Sequence, residues 1–185
     1  NLNEVFQSIE KVLSSDGVLI IEDPSLLECM KKVSYDQFYN EHLYVFSALA
    51  VKHLIKRYNL TIFDIENLST HGGSLRYYIK KNNNKKFKVK KSVSIQLTKE
   101  IKFGLHKLST YQKFGKSAAK SKHNLVKILN NLKKNDHKII GYGATAKATT
   151  VLNYCDIDEK IIDYFVDTTP DKINKFMPGK KIKIY

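Results

Sequence analysis

The chain has 185 residues, 42% of them apolar, with 11 Tyr and 9 Phe. That excludes a disordered chain and leaves room for one large or two small domains; no run of about 18 apolar residues occurs, so no membrane span is expected. The formal charge of +14 suggests an anionic partner, but only Arg57 and Arg76 are arginine among 32 basic residues, and base readout favours arginine, which argues against nucleic acid.

Two isolated cysteines, Cys29 and Cys155, form neither a zinc motif nor a disulfide framework and fit a reducing cytoplasm. Leu2, Val5, Phe6, Ile9 and Leu13 recur at helical spacing and predict a helix over 2–13, closed by Gly17 as a left-handed turn residue. The chain opens as if already inside that helix, without a signal peptide, and reads as a piece of a longer protein. Val18 to Ile21, VLII, predicts a buried strand of a parallel sheet. Glu22 and Asp23 then either terminate the strand or stand where α/β sheets place their sites. Ser25 to Ser34 reads as a short helix or loop.

Tyr35 to His42, YDQFYNEH, packs two tyrosines, an aspartate, a glutamate and a histidine directly before an apolar run. Histidine exchanges protons near neutral pH, a neighbouring carboxylate can orient it, and a tyrosine hydroxyl can donate to a developing oxyanion. The same composition also suits a polar loop that caps the next helix. That helix is expected from Ser47, its N-cap, to Tyr58. LTIFDI, from Leu60, and SLRYYIKK, from Ser74, alternate as neighbouring strands. Between them His71-Gly72-Gly73-Ser74 is a turn or a place where backbone approaches a ligand. The lysine-rich stretch from Lys81 suggests a domain boundary or a hairpin turn. Ser92 to Lys134 is helical in pattern, with Gly104 and Gly115 as candidate breaks and Leu125, Ile128, Leu129 and Leu132 on one face.

HKIIGYGATAKATTVLNYC reads strand, glycine turn, helix, with Gly141, Gly143 and Ala146 matching G-x-G-x-x-A. IIDYFVD follows as a strand ending on Asp167, where a dinucleotide-binding unit places its ribose-binding acid. A nucleotide- or dinucleotide-binding Rossmann-like module is therefore one reading, and a Rossmann-like half without a ligand is another.

Taken in order, VLIIEDP, YDQFYNEHLYVFS, HGGSLRYYIKK, GYGATAKATTVLNYC and FVDTTPDKINKFMPG closely resemble the C-terminal part of the SAM-dependent sugar C-methyltransferases. That resemblance implies an α/β fold: the tail end of a class I SAM-methyltransferase sheet over 1–81, then a helical segment and a Rossmann-like domain over 82–185. It implies methylation of a carbon beside a ketone in a nucleotide-linked deoxysugar (dTDP- or similar), with His42 as base, Tyr39 stabilising the enolate and Glu41 orienting His42. Family members often carry histidine where this chain has Asn40. The resemblance also places His71, Gly72, Gly73, Ser74 and Arg76 at the substrate, and Gly141, Tyr142, Gly143, Ala144 and Lys147 at its nucleotide. S-adenosyl-L-methionine would be held mostly by sequence N-terminal to this chain, and zinc by a separate N-terminal domain, so this chain alone is expected to be inactive.

Overall fold

The computed structural model describes all 185 residues. The chain forms two compact units, Asn1–Lys32 with Tyr44–Tyr111, and Val33–Leu43 with Gln112–Tyr185. Both mix helix and strand.

Unit 1 contains α1 (Leu2–Val12), β1 (Leu19–Pro24), α2 (Leu26–Lys32), α3 (Ala48–Lys56), β2 (Leu60–Leu68), β3 (Ser74–Lys81) and α4 (Lys91–Phe103). Its sheet runs β1-β3-β2, and both pairings are antiparallel. The parallel, buried strand expected at VLII is therefore corrected. β3 returns between its neighbours, one sheet face is packed, and the other is solvated, so Ile20 is 56% exposed. Leu75, Tyr77 and Ile79 of β3 point inward and meet Phe6, Val51, Ile55 and Val93.

Gly17 does not take the left-handed conformation expected of it. Its role is steric, because a β-carbon there would lie 2.7 Å from Ser14 Oγ and 2.9 Å from Leu13 Cδ1. The lysine-rich stretch lies inside unit 1. It is pinned to β2 where the Lys90 amide donates to the Phe63 carbonyl (2.8 Å) and Ser92 Oγ donates to Asp64 (2.6 Å).

The start of α3 is held by a residue far along the chain. Ser47 Oγ accepts from the Ala50 amide (3.1 Å), as a cap should. The Ala48 and Leu49 amides donate to the Glu100 carboxylate at 2.8 and 2.9 Å. Glu100 is 0% exposed and also accepts from Gln96 Nε2 (3.0 Å). All three first-turn amides of α3 are thus satisfied without water.

The division between units falls within α5 (Leu108–Lys134). Gly104 closes α4 with φ 92°, whereas Gly115 lies uninterrupted inside α5. Unit 2 adds β4 (Ile140–Tyr142), α6 (Ala146–Cys155) and β5 (Tyr164–Val166), with β4 and β5 parallel. Ile184 of the terminal IKIY bridges Phe165 in parallel. The core gathers Leu152, Ile157, Phe165, Met177, Ile182 and Ile184, and Leu125 and Leu129 of α5 pack against it. Ile128, expected on the same face, is exposed. No helix is long and apolar enough to cross a membrane.

Candidate functional site

The stretch Val33–Leu43 belongs to unit 2 and lies along α6. Tyr35 to Gln37 form a short 3-10 turn. The Tyr35 ring packs on Tyr154 with centroids 4.9 Å apart, and its hydroxyl lies 3.6 Å from Cys155 Sγ. Burial, then the Cys155 thiol, pushes that hydroxyl's pKa up to about 12, so it stays protonated. Thr150 Oγ1 donates to the Phe38 carbonyl (3.4 Å), and the Phe38 ring meets Phe114 edge-on. These contacts anchor one end of the stretch.

The other end carries the pair Tyr39 and His42. Their rings lie 4.2 Å apart, and Tyr39 Oη is 3.1 Å from His42 Nε2. His42 Nδ1 is 3.1 Å from the Gln37 carbonyl, which can only accept. Nδ1 therefore carries a proton, and in the neutral imidazole Nε2 holds the lone pair and accepts from the Tyr39 hydroxyl. A backbone carbonyl thus provides at Nδ1 the orienting bond expected of Glu41. Glu41 is exposed. Burial, followed by the charges of Glu41 and Asp36, raises the Tyr39 pKa and keeps its hydroxyl a neutral donor.

Tyr39 and Asn40 line a cleft of about 610 Å³ together with Ala144, Thr145, Lys172 and Phe176. That volume is in the range of small-ligand sites. One expected nucleotide-binding residue, Ala144, lines it, whereas Gly141, Tyr142, Gly143 and Lys147 do not. The two glycines of the turn have different reasons to be there. Gly143 takes φ 86°, which the turn requires. Gly141 is covered by Phe165, whose ring would lie 2.3 Å from any β-carbon. Tyr142 stands 85% exposed.

Asp167 seals the turn rather than facing a ligand. Its carboxylate accepts from the Ala144 amide (2.7 Å) and the Thr169 amide (2.8 Å) and pairs with Lys172 Nζ (3.1 Å). Hydrogen bonds from Thr169, then Lys172, hold its pKa well below the usual carboxylate range. The dinucleotide reading needs this carboxylate for a ribose, and here it is spent internally, which counts against that reading.

Unit 1 holds the remaining candidates. His71, Gly72 and Gly73 take φ of 51°, 79° and 130° in succession. A β-carbon at Gly73 would lie 2.8 Å from Glu28. The Gly73 carbonyl accepts from the Ser25 amide (2.9 Å), Lys32 Nζ donates to the Gly72 carbonyl, and buried Ser74 donates to the Thr70 carbonyl (3.0 Å). Arg76 is held between Glu22 (2.8 Å) and Glu66 (3.2 Å) on the outer sheet face, and the Glu22 bond raises its already high pKa further. A separate groove of about 550 Å³ is floored by Ile55, Leu60, Ile62 and Val93 and rimmed by Lys52 and Lys56. No group of three or more His, Cys, Asp or Glu side chains could hold a metal.

Thr145 lies in the glycine turn expected to meet the nucleotide, whereas the lining residues Asp171, Lys172, Lys175 and Phe176 are not among the residues expected from sequence. The segment FVDTTPDKINKFMPG enters the sequence reading only as one of the five resemblance motifs, with no residue of it named beyond Asp167, and its side chains reach the cleft because the chain packs there against α6.

Residues 69–185 match the model of the C-methyltransferase C-terminal domain. The chain belongs to this C-methyltransferase family. Over all 185 residues it is 25% identical to the C-methyltransferase NovU of Streptomyces niveus, covering 44% of that protein. The chain thus spans less than half the length of the curated relative it matches. The C-methyltransferase family match covers the glycine turn and the cleft wall around Phe176, and Tyr39 and His42 lie in the part aligned with NovU.

Proposed function

We propose that this chain is the catalytic and substrate-binding C-terminal part of a SAM-dependent enzyme that methylates a carbon beside a ketone in a nucleotide-linked deoxysugar. The observation that carries the reading is the Tyr39–His42 pair, with Tyr39 on the rim of a nucleotide-sized cleft. Methylating such a carbon requires removing its proton and holding the enolate that results. His42 Nε2, with its tautomer set by the Gln37 carbonyl, takes the proton. Tyr39 turns its hydroxyl from Nε2 to the enolate oxygen as negative charge develops. A positioned base contributes about 10²–10⁴ in rate, and loss of one oxyanion donor costs about 10²–10³. Glu41 acts on the pair through its charge.

In this reading the His71–Ser74 loop and Arg76 belong to the substrate site, and residues 1–81 and 82–185 are the end of the methyltransferase domain and the nucleotide-sugar domain. S-adenosyl-L-methionine supplies an electrophilic methyl group when bound. The lysine-rimmed groove of unit 1 does not fit that cationic sulfonium, and we assign the cofactor to sequence N-terminal to this chain, as we do zinc. A reducing cytoplasm suits the two free cysteines.

The test is His42→Ala in the complete protein, followed by methyl transfer and by deuterium exchange of the substrate's α-proton in D₂O. Both rates fall by about 10² or more while substrate binding persists. Undiminished turnover would remove His42 from its role.

A further inference from the structure

We propose that Phe176 is the stacking platform for the nucleobase of the substrate and that Lys175 beside it holds the diphosphate. This rests on the nucleotide-sugar reading above and assigns residues that the expected glycine-turn site does not include.

In a glycine turn, phosphate is ordinarily held by backbone amides and the helix N-terminus. Here Asp167 occupies the Ala144 amide, and the Thr145 side chain accepts from the Ala148 amide (3.1 Å). Lys172 is already committed to Asp167 at 3.1 Å. Lys175, which also lines the cleft, makes no ion pair and is the cation left for an anionic ligand.

Phe176 is 59% exposed on the cleft wall, so its ring face is open to a base that enters the cleft. The other aromatic of the cleft, Tyr39, is engaged by His42. Phe176 is also presented rigidly. It bridges Lys183 in antiparallel fashion, and the next residue, Met177, is buried, with its amide bonded to the Ile182 carbonyl (2.9 Å). The hairpin tip is clasped to the α6 end by Asn153 Nδ2 donating to the Pro178 carbonyl (3.0 Å) and by Lys180 pairing with Asp156 (2.8 Å). A backbone fixed in this way needs little ordering when a base stacks on the ring it carries.

The experiment is calorimetric titration of the 185-residue chain with dTDP, UDP and inorganic pyrophosphate. Phe176→Ala weakens dTDP and UDP about tenfold or more and leaves pyrophosphate unchanged, whereas Phe176→Tyr restores nucleotide affinity. Lys175→Ala weakens all three ligands. Circular dichroism confirms that each variant is folded. Equal nucleotide affinity in wild type and Phe176→Ala would overturn the platform while leaving the nucleotide reading intact. A wild-type chain that binds no nucleotide would overturn the reading itself.

Discussion

Replacing Glu100 with alanine should be among the most damaging single changes in unit 1, although Glu100 is remote in sequence from every candidate site residue. The carboxylate is fully buried and accepts three hydrogen bonds, from the Ala48 amide, the Leu49 amide and Gln96 Nε2. A hydrogen bond to a charged group contributes about 1.5–3 kcal/mol, and a buried donor left without a partner costs about 1–3 kcal/mol. Leu49 is half-buried, so water recovers part of its loss. The expected cost of Glu100→Ala is about 3–5 kcal/mol, a large share of the 5–15 kcal/mol typical of a domain. Glu100→Gln keeps one acceptor oxygen and should cost roughly half as much. Ser47→Ala, which removes the ordinary cap of the same helix, should cost about 1 kcal/mol. Urea denaturation followed by far-ultraviolet circular dichroism ranks the three variants. A Glu100→Ala chain no less stable than Ser47→Ala would refute the argument that a distant carboxylate holds the start of α3.

Gly141→Ala should destabilise unit 2 by about 1–3 kcal/mol, because the new β-carbon meets the Phe165 ring at 2.3 Å; a thermal melt matching wild type would show that the ring yields freely. Asp167→Asn tests the sealed glycine turn through pH. The folded carboxylate titrates below its unfolded value of about 3.9, so its stabilisation is complete above that pH and is lost as pH falls through the lower folded value. The variant should be less stable at pH 7 and lose less stability than wild type on acidification below about pH 4, as read from denaturant midpoints across pH.

Much of the local structure was legible from residue order alone. The spacing of Leu2, Phe6 and Ile9, the cap at Ser47, the alternation of Leu75, Tyr77 and Ile79, and the strand, glycine turn and helix around Gly143 all follow from contacts within a few residues, which spacing records directly. The order of five motifs pointed to the methyltransferase family, and the match over residues 69–185 agrees. Of the candidate site, the Tyr39–His42 pair was visible because its members lie three residues apart.

Tertiary structure decided the rest, wherever the partner of a group lies far along the chain. VLII reads as parallel until β3 is seen returning between β1 and β2. Glu100 carries no local mark of capping a helix 52 residues earlier. Asp167 matches a ribose-binding pattern, yet its carboxylate is consumed by an amide 23 residues before it. Lys175 and Phe176 gain significance only when the final hairpin is clasped to α6. Periodicity encodes which face a side chain occupies, but not which distant donor, ring or charge will meet it there. That choice is made by burial, which cannot leave polar groups unpaired and so joins segments that the sequence keeps apart.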